Sequence, residues 1–168
     1  MTTLTSHVQL RDGSRLEIRP MEADDGDRLV RFHHRLSDKT TYLRFFMIHP
    51  ELHPDELERF THVDHQSREA IVAVLDDEIA AVARFDRLDD GSEAEVAFVV
   101  ADEFQGRGLG TALFQQLAER ARSLGVGRFV AETLPHNHRM LSVFTHAGLP
   151  VSTRFEDGVV KVRLDLLG

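Results

Sequence analysis

Residues 94–114 read AEVAFVVADEFQGRGLGTALF: an apolar run, a turn carrying Gly106, Gly108 and Gly110, and the opening of a helix. The run Glu95 to Val100 is rich in Val and Phe, as strands are. From Gly108 onward Leu109, Leu113, Leu117 and Leu124 fall along one helical face, up to a stop at Gly125. Glycines between a strand and a helix let backbone N–H groups approach an anion, and the helix start adds unpaired donors and the positive end of a dipole. A diphosphate suits such a place. Two commoner phosphate motifs are excluded: QGRGLG lacks the Lys-Ser/Thr of a Walker loop, and the strand before it does not belong to the chain's first βαβ unit.

Upstream, Val8 to Leu10 and Leu16 to Ile18 flank Asp12-Gly13 and predict a hairpin. Asp24 or Asp25 can cap a helix bearing Leu29, Phe32 and Leu36, with Ser37 starting a further helical turn toward Tyr42 and Phe45. Pro54 occupies a first helical position, with Asp55 and Glu56 near the positive end of the dipole. Ala70 to Leu75, Ile79 to Phe85 and Glu95 to Val100 form a meander of extended segments. Downstream come a strand at Arg128 to Glu132, a helix from Asn137 to Ala147, and strands at Val151 to Phe155 and Val159 to Leu164 around Asp157-Gly158. The expectation is one α/β domain over residues 1–168, its early strands mostly antiparallel, with 1–6 as a flexible tail.

Composition narrows the function. The absence of cysteine excludes disulfides, a zinc–thiolate site and acyl relay through a Cys of this chain. A net charge of −8 argues against general nucleic-acid binding, which requires a basic face. No apolar stretch approaches the length of a membrane span, and MTTLTSHVQLRDGS has neither a basic leader nor an apolar run, so a cytoplasmic location is expected. The ten histidines, including His33-His34, His62 with His65 and His136 with His138, form no recognised ligand set with carboxylates, and no metal is expected.

The segment 94–114 resembles the acetyl-CoA-binding core of the GNAT N-acetyltransferases, whose signature Gln/Arg-x-x-Gly-x-Gly/Ala is met by Gln105, Gly108 and Gly110. NHRMLSVFTHAGL, residues 137–149, is similar to that family's later Asn-containing helix. LSDKTTYLRFF and ELERFTHVDHQSREAIVAV resemble the bacterial protein lysine acetyltransferases of the Pat type. The resemblance implies a central, mixed but mostly antiparallel sheet flanked by helices. It implies that Phe98, Val99 and Val100 pair with the pantetheine arm of acetyl-CoA, that Gly106, Arg107, Gly108, Leu109, Gly110 and Thr111 hold its diphosphate, and that Asn137 meets the arm near the thioester. It also implies a lysine-bearing protein partner, such as an AMP-forming acyl-CoA synthetase; a small-molecule amine or a non-catalytic acetyl-CoA-binding role are the alternatives.

A lysine amine is almost wholly protonated at neutral pH, so transfer needs a base. Glu95, ten residues before Gln105, matches the family's catalytic glutamate, and apolar Val96, Phe98 and Val100 are expected to desolvate it into a better proton acceptor; Glu93 is the rival. The family implies an oxyanion donor from a backbone N–H beside a bulge in the central strand. Its usual tyrosine acid is replaced by Phe144, and Tyr42 is the only tyrosine. Tyr42, Arg44 and Asp64 are candidates for the acceptor side. Phe45, Phe46 and Phe60 are expected in the core.

Overall fold

The computed structural model describes residues 5–167. Most of the expected tail, residues 1–4, lies outside the described residues, and Ser6 already belongs to a strand. The eight strands are β1 (Ser6–Gln9), β2 (Arg15–Pro20), β3 (Arg68–Leu75), β4 (Glu78–Leu88), β5 (Glu93–Val100), β6 (Arg128–Thr133), β7 (Val151–Glu156) and β8 (Val159–Asp165). They form one sheet in the order β1-β2-β3-β4-β5-β6-β8-β7. Only β5 and β6 pair in parallel, because the helix between them carries the chain back across the sheet.

The helices are α1 (Gly26–Arg35), α2 (Asp38–Phe45), α3 (Pro54–Thr61), α4 (Leu109–Ser123) and α5 (His138–Thr145). Alternation along the strands divides the core in two. Ile71, Phe85, Val96 and Phe129 face α4 and α5, where Leu113, Phe114, Leu117 and Phe144 meet them. Ala70, Val72, Val82 and Ala101 face the other way, against Leu29, Phe32 and Phe60 of α1 and α3. No helix among the described residues is long and apolar enough to cross a membrane.

Local chemistry explains most boundaries. Ser37 caps α2 by accepting the Thr40 N–H at 3.1 Å. Pro54 opens α3, and Glu56 reaches back to the His53 N–H at 2.9 Å. The β3–β4 turn is made by Asp76 and Asp77, both with positive φ (53° and 65°), a conformation Asp tolerates better than most residues.

Asp25 departs from its expected role as a cap. It is fully buried, and its carboxylate takes both forks of Arg19 at 2.7 and 2.8 Å, the Glu22 N–H at 2.8 Å and Arg28 at 3.2 Å. Burial alone would raise this carboxyl, but the Arg19 hydrogen bonds and the Glu22 N–H outweigh it and hold the group below its ordinary value. The stability it confers is therefore complete above the unfolded value of about 3.9 and is lost as pH falls through the lower folded value. Asp25→Ala leaves Arg19 without its partner and should cost about 3–5 kcal/mol at pH 7. Urea unfolding of the two proteins from pH 7 down to pH 2 should show that gap closing at the acid end.

Candidate active site

The site begins where β5 leaves β6. Their parallel pairing runs from Glu93/Arg128 to Glu95/Val130 and stops, although β5 continues to Val100 and β6 to Thr133. On its other edge β5 keeps unbroken register with β4, from Leu88/Glu93 to Ala81/Val100. The bulge that the family resemblance implies is therefore missing from the β4–β5 ladder, and the strands part simply because pairing with β6 ends.

This parting exposes backbone. Ala101 donates to the Ala80 carbonyl at 2.8 Å, in register with the ladder. Antiparallel pairs alternate in type, so Val99, Ala97 and Glu95 also turn their backbone groups to β4, while Phe98 and Val100 turn theirs to the opened edge. The Val100 carbonyl is taken by the Gln105 amide at 2.9 Å. That leaves the Phe98 N–H and C=O and the Val100 N–H facing the gap. The expected role of Val99 is corrected accordingly: its backbone is committed to β4 opposite Val82.

A cavity of about 840 Å³ occupies the gap, within the ordinary range for a small-molecule site. Glu95, Phe98, Val99, Val100, Gln105, Gly106, Gly108, Gly110, Thr111 and Asn137 all border it; Arg107 and Leu109 do not. Leu109 is buried in the core, and the Arg107 guanidinium pairs with Asp12 on the β1–β2 turn. Any contribution of these two residues to the turn is through their backbone.

That backbone is rich in donors. Ala112 is the first residue of α4 to donate into the helix, to the Gly108 carbonyl at 3.1 Å. The six N–H groups from Gly106 to Thr111 have no partner among the described residues. Gly106 and Gly108 have φ of +77° and +89°, which lets the chain present these donors together. This is a donor set suited to a diphosphate.

Behind the turn, a polar network ties α2 to the short helical turn Asp102–Phe104. Asp102 accepts the Ser37 N–H at 2.9 Å, the Ser37 hydroxyl at 2.7 Å and the Thr40 hydroxyl at 3.0 Å. Burial works to raise the Asp102 carboxyl, but these bonds prevail and keep it below its ordinary value. The Gln105 amide also donates to Thr40 at 3.2 Å, and its carbonyl oxygen accepts from Arg139 of α5. Gln105 thus braces the turn from within the protein. Ser37 is legible in the sequence as a cap, but nothing there pairs it with a residue 65 positions away.

Glu95 stands at the point of divergence and is exposed. The expected apolar surround is wrong, since alternation puts Val96, Phe98 and Val100 on the opposite face of the strand. Its rival Glu93 is held by Arg128 at 3.0 Å and lies outside the cavity. Asn137 caps α5 through the Met140 N–H at 3.3 Å, leaving its amide nitrogen only the weak Met140 sulfur at 3.6 Å. Phe144 is wholly buried, edge-on to Phe98 at 5.7 Å and to Phe114 at 5.4 Å.

Of the acceptor-side candidates, only Arg44 borders the cavity. Tyr42 is exposed outside it. Asp64 is structural, accepting the N–H groups of Gln66, Ser67 and Arg68 at 2.9–3.0 Å. Phe60 is buried as expected, but Phe46 ends α2 with φ of 62° and borders the cavity. His49, His53 and Glu56, which the sequence does not single out, bring ligand-type atoms within 4.8 Å of one another. Hydrogen bonds account for the grouping: Glu56 accepts the His53 N–H at 2.9 Å and lies 2.8 Å from the His49 ring.

The chain belongs to the acetyltransferase (GNAT) family, whose pattern matches residues 36–149. It is 33% identical over 164 residues to the acetyltransferase Pat of Mycolicibacterium smegmatis, covering 95% of this chain and 48% of that protein. It is 32% identical over 120 residues to an acetyltransferase of Pseudomonas aeruginosa, covering 69% of this chain and 64% of that one. The chain thus spans between about half and two thirds of the length of these curated relatives. Among solved structures, the GNAT domain of S. lividans PAT superimposes with a TM-score of 0.91 at 41% identity, covering 96% of this chain and 97% of that domain.

The turn can be tested by two glycines of different character. A Cβ on Gly110 would meet Phe98, Val100 and Val143 at 3.5–3.7 Å, ordinary contact, so Gly110→Ala should retain both fold and binding. A Cβ on Gly108 meets nothing within 4 Å, but its φ of +89° is strained for any L side chain, by about 1–3 kcal/mol. Gly108→Val should remain folded in thermal melts yet lose acetyl-CoA binding in calorimetric titration; unchanged affinity would refute the anion site.

Proposed function

We propose that this chain is an acetyl-CoA-dependent N-acetyltransferase that transfers acetyl directly to the lysine amine of a protein, with an AMP-forming acyl-CoA synthetase as the acceptor class. The observation that carries the donor half is the run of six free N–H groups from Gly106 to Thr111 beside the opened edge of β5. Likeness to the two Pat proteins supports the lysine acceptor. We further take residues 1–168 as one catalytic domain, because a single sheet threads residues 6–165, and a cytoplasmic setting as the one where acetyl-CoA and such synthetases meet.

Acetyl-CoA supplies an acetyl group already activated as a thioester. The chain's residues then have separable tasks. The Gly106–Thr111 backbone holds the diphosphate, and the helix dipole of α4 favours its charge. The Phe98 and Val100 backbone groups offer the pantetheine amides the hydrogen bonds that β6 does not take. This fixes the arm along β5 as an added strand would be fixed. Asn137 offers its amide nitrogen at the far wall of the cavity.

Glu95, at the branch point, takes a proton from the incoming ammonium directly or through one water, so that the amine's lone pair becomes available. No tyrosine stands ready to protonate the departing sulfur, and the thiol of coenzyme A is acidic enough to leave as thiolate. The absence of cysteine excludes relay of the acetyl group through a Cys of this chain, in keeping with direct transfer.

The reading is tested by incubating the protein with acetyl-CoA and a panel of AMP-forming synthetases and mapping labelled lysines. One labelled lysine per susceptible synthetase is expected. Glu95→Gln should lower kcat by about 10²-fold or more while the calorimetric affinity for acetyl-CoA stays within about twofold. Full labelling by that variant would remove Glu95 from the chemistry. Turnover of small amines with no protein labelled would redirect the acceptor to a small molecule.

A further inference from the structure

On the wall of the cavity beside Glu95, the structure holds a cation with nothing to bind. Arg44, in the last turn of α2, is half-buried and borders the cavity, yet its guanidinium makes no hydrogen bond or ion pair among the described residues. Its one specific contact is the ring of Phe45, 4.7 Å from the guanidinium carbon. Arg59 of α3 also lacks a hydrogen bond or ion pair among the described residues, but it is exposed, lies 5.0 Å over the Phe60 ring and does not border the cavity; the other arginines bordering or backing this region are committed. Arg84 donates to the Phe60 carbonyl at 3.3 Å and lies over the Phe60 ring at 4.1 Å. Arg68 donates to the His62 carbonyl at 3.0 Å, and Arg139 to Gln105.

The neighbourhood does not neutralise Arg44. Glu95 and Asp86, which face each other across the β5–β4 ladder, attract it without forming a pair with it, and Arg59 repels it. Burial lowers the guanidinium from its ordinary value, against the pull of Glu95. Arg84, buried behind it, is lowered to about 9 by burial first and by the charge of Arg44 second. It remains protonated at neutral pH, so two like charges stand together with neither paired to a carboxylate among the described residues. An uncompensated charge of this kind is costly, and such departures from local consistency gather at functional sites.

Resting on the acetyl-CoA reading of the same cavity, we propose that Arg44, reinforced from behind by Arg84, is a carboxylate-recognition subsite at the reacting end of the cavity. The planar fork of an arginine suits a carboxylate, which accepts two parallel N–H bonds. The carboxylate has two possible carriers: the acyl group of the donor, as in a dicarboxylic monoacyl-CoA, or an acidic side chain flanking the acceptor lysine. In either case the subsite selects by charge next to the reacting carbon.

Calorimetry of the intact protein separates these sources. In the donor arm, succinyl-CoA is compared with butyryl-CoA, which has the same chain length without the charge. In the acceptor arm, a lysine peptide flanked by Asp is compared with its Asn counterpart, both titrated onto the protein saturated with coenzyme A. A preference of about tenfold or more for the charged member in either arm, collapsing to less than about threefold in Arg44→Gln and only partly retained in Arg44→Lys, which keeps the charge without the fork, is the expected result. Arg44→Gln should melt within a few degrees of the parent, because relief of an unpaired, half-buried charge offsets the lost contact with the Phe45 ring. No preference in both arms, or one that Arg44→Gln leaves intact, overturns the subsite. Failure of acetyl-CoA itself to bind would instead overturn the donor reading on which it rests.

Discussion

Everything at the candidate site depends on β5 keeping one neighbour and losing the other. The ladder to β4 is continuous for eight residue pairs, whereas pairing to β6 ends at Glu95/Val130. A buried strand edge with unsatisfied N–H and C=O groups is ordinarily a liability, since each such group costs free energy unless water or a ligand meets it. Here the same edge lies open to a cavity with the head of α4 beside it. The fold thereby assembles two kinds of backbone donor, an unpaired strand and an uncapped helix start, without needing a single special side chain.

The anchoring of α2 follows from that arrangement. Ser37, Thr40 and Asp102 lock the start of the helix to the residues immediately before the glycine turn, and Gln105 joins this network to the end of β5. The wall of the cavity that bears Arg44 is thus tied to the glycine turn. A displacement of α2 would be felt at the turn through three side chains. The signature glutamine therefore acts as a brace between elements, its amide bonded to Thr40, Val100 and Arg139.

The sequence disclosed the parts of this design that are local. Hairpin turns, the Ser37 and Pro54 helix starts, and the strand–glycine–helix succession all follow from short-range rules on torsion angles, capping and periodicity, and they recur in the structure within a residue or two. What it concealed depends on strand parity and on contacts distant in sequence. Val96, Phe98 and Val100 look like neighbours of Glu95 in the linear chain, but a period of two puts them on the other side of the sheet. Val99 looks equivalent to Phe98 and Val100 until the Ala101–Ala80 bond fixes which residues face β4. Asp25 and Asp64 read as a cap and a surface candidate; one is a buried partner of Arg19, and the other closes a turn.

Arg44 illustrates why charge is the least legible quantity in a sequence. The chain carries eight more formal negative than positive charges, which suggests a cationic partner everywhere. Around Arg44 the picture differs: Arg59, Arg68 and Arg84 stand near it, and Asp86, Glu95 and Glu56 oppose them. Interactions at these distances in a partly dry site are far less screened than at the surface, so the local balance governs what the site admits, and the net charge does not. A positive setting also disfavours a second cation, so an ammonium brought beside Glu95 is easier to deprotonate there than in water. One guanidinium can therefore bear on both recognition and proton transfer, and the carboxylate it takes up would partly cancel its effect on the amine. On the proposed reading, selectivity for a charged partner and activation of the nucleophile are thus opposed at this position.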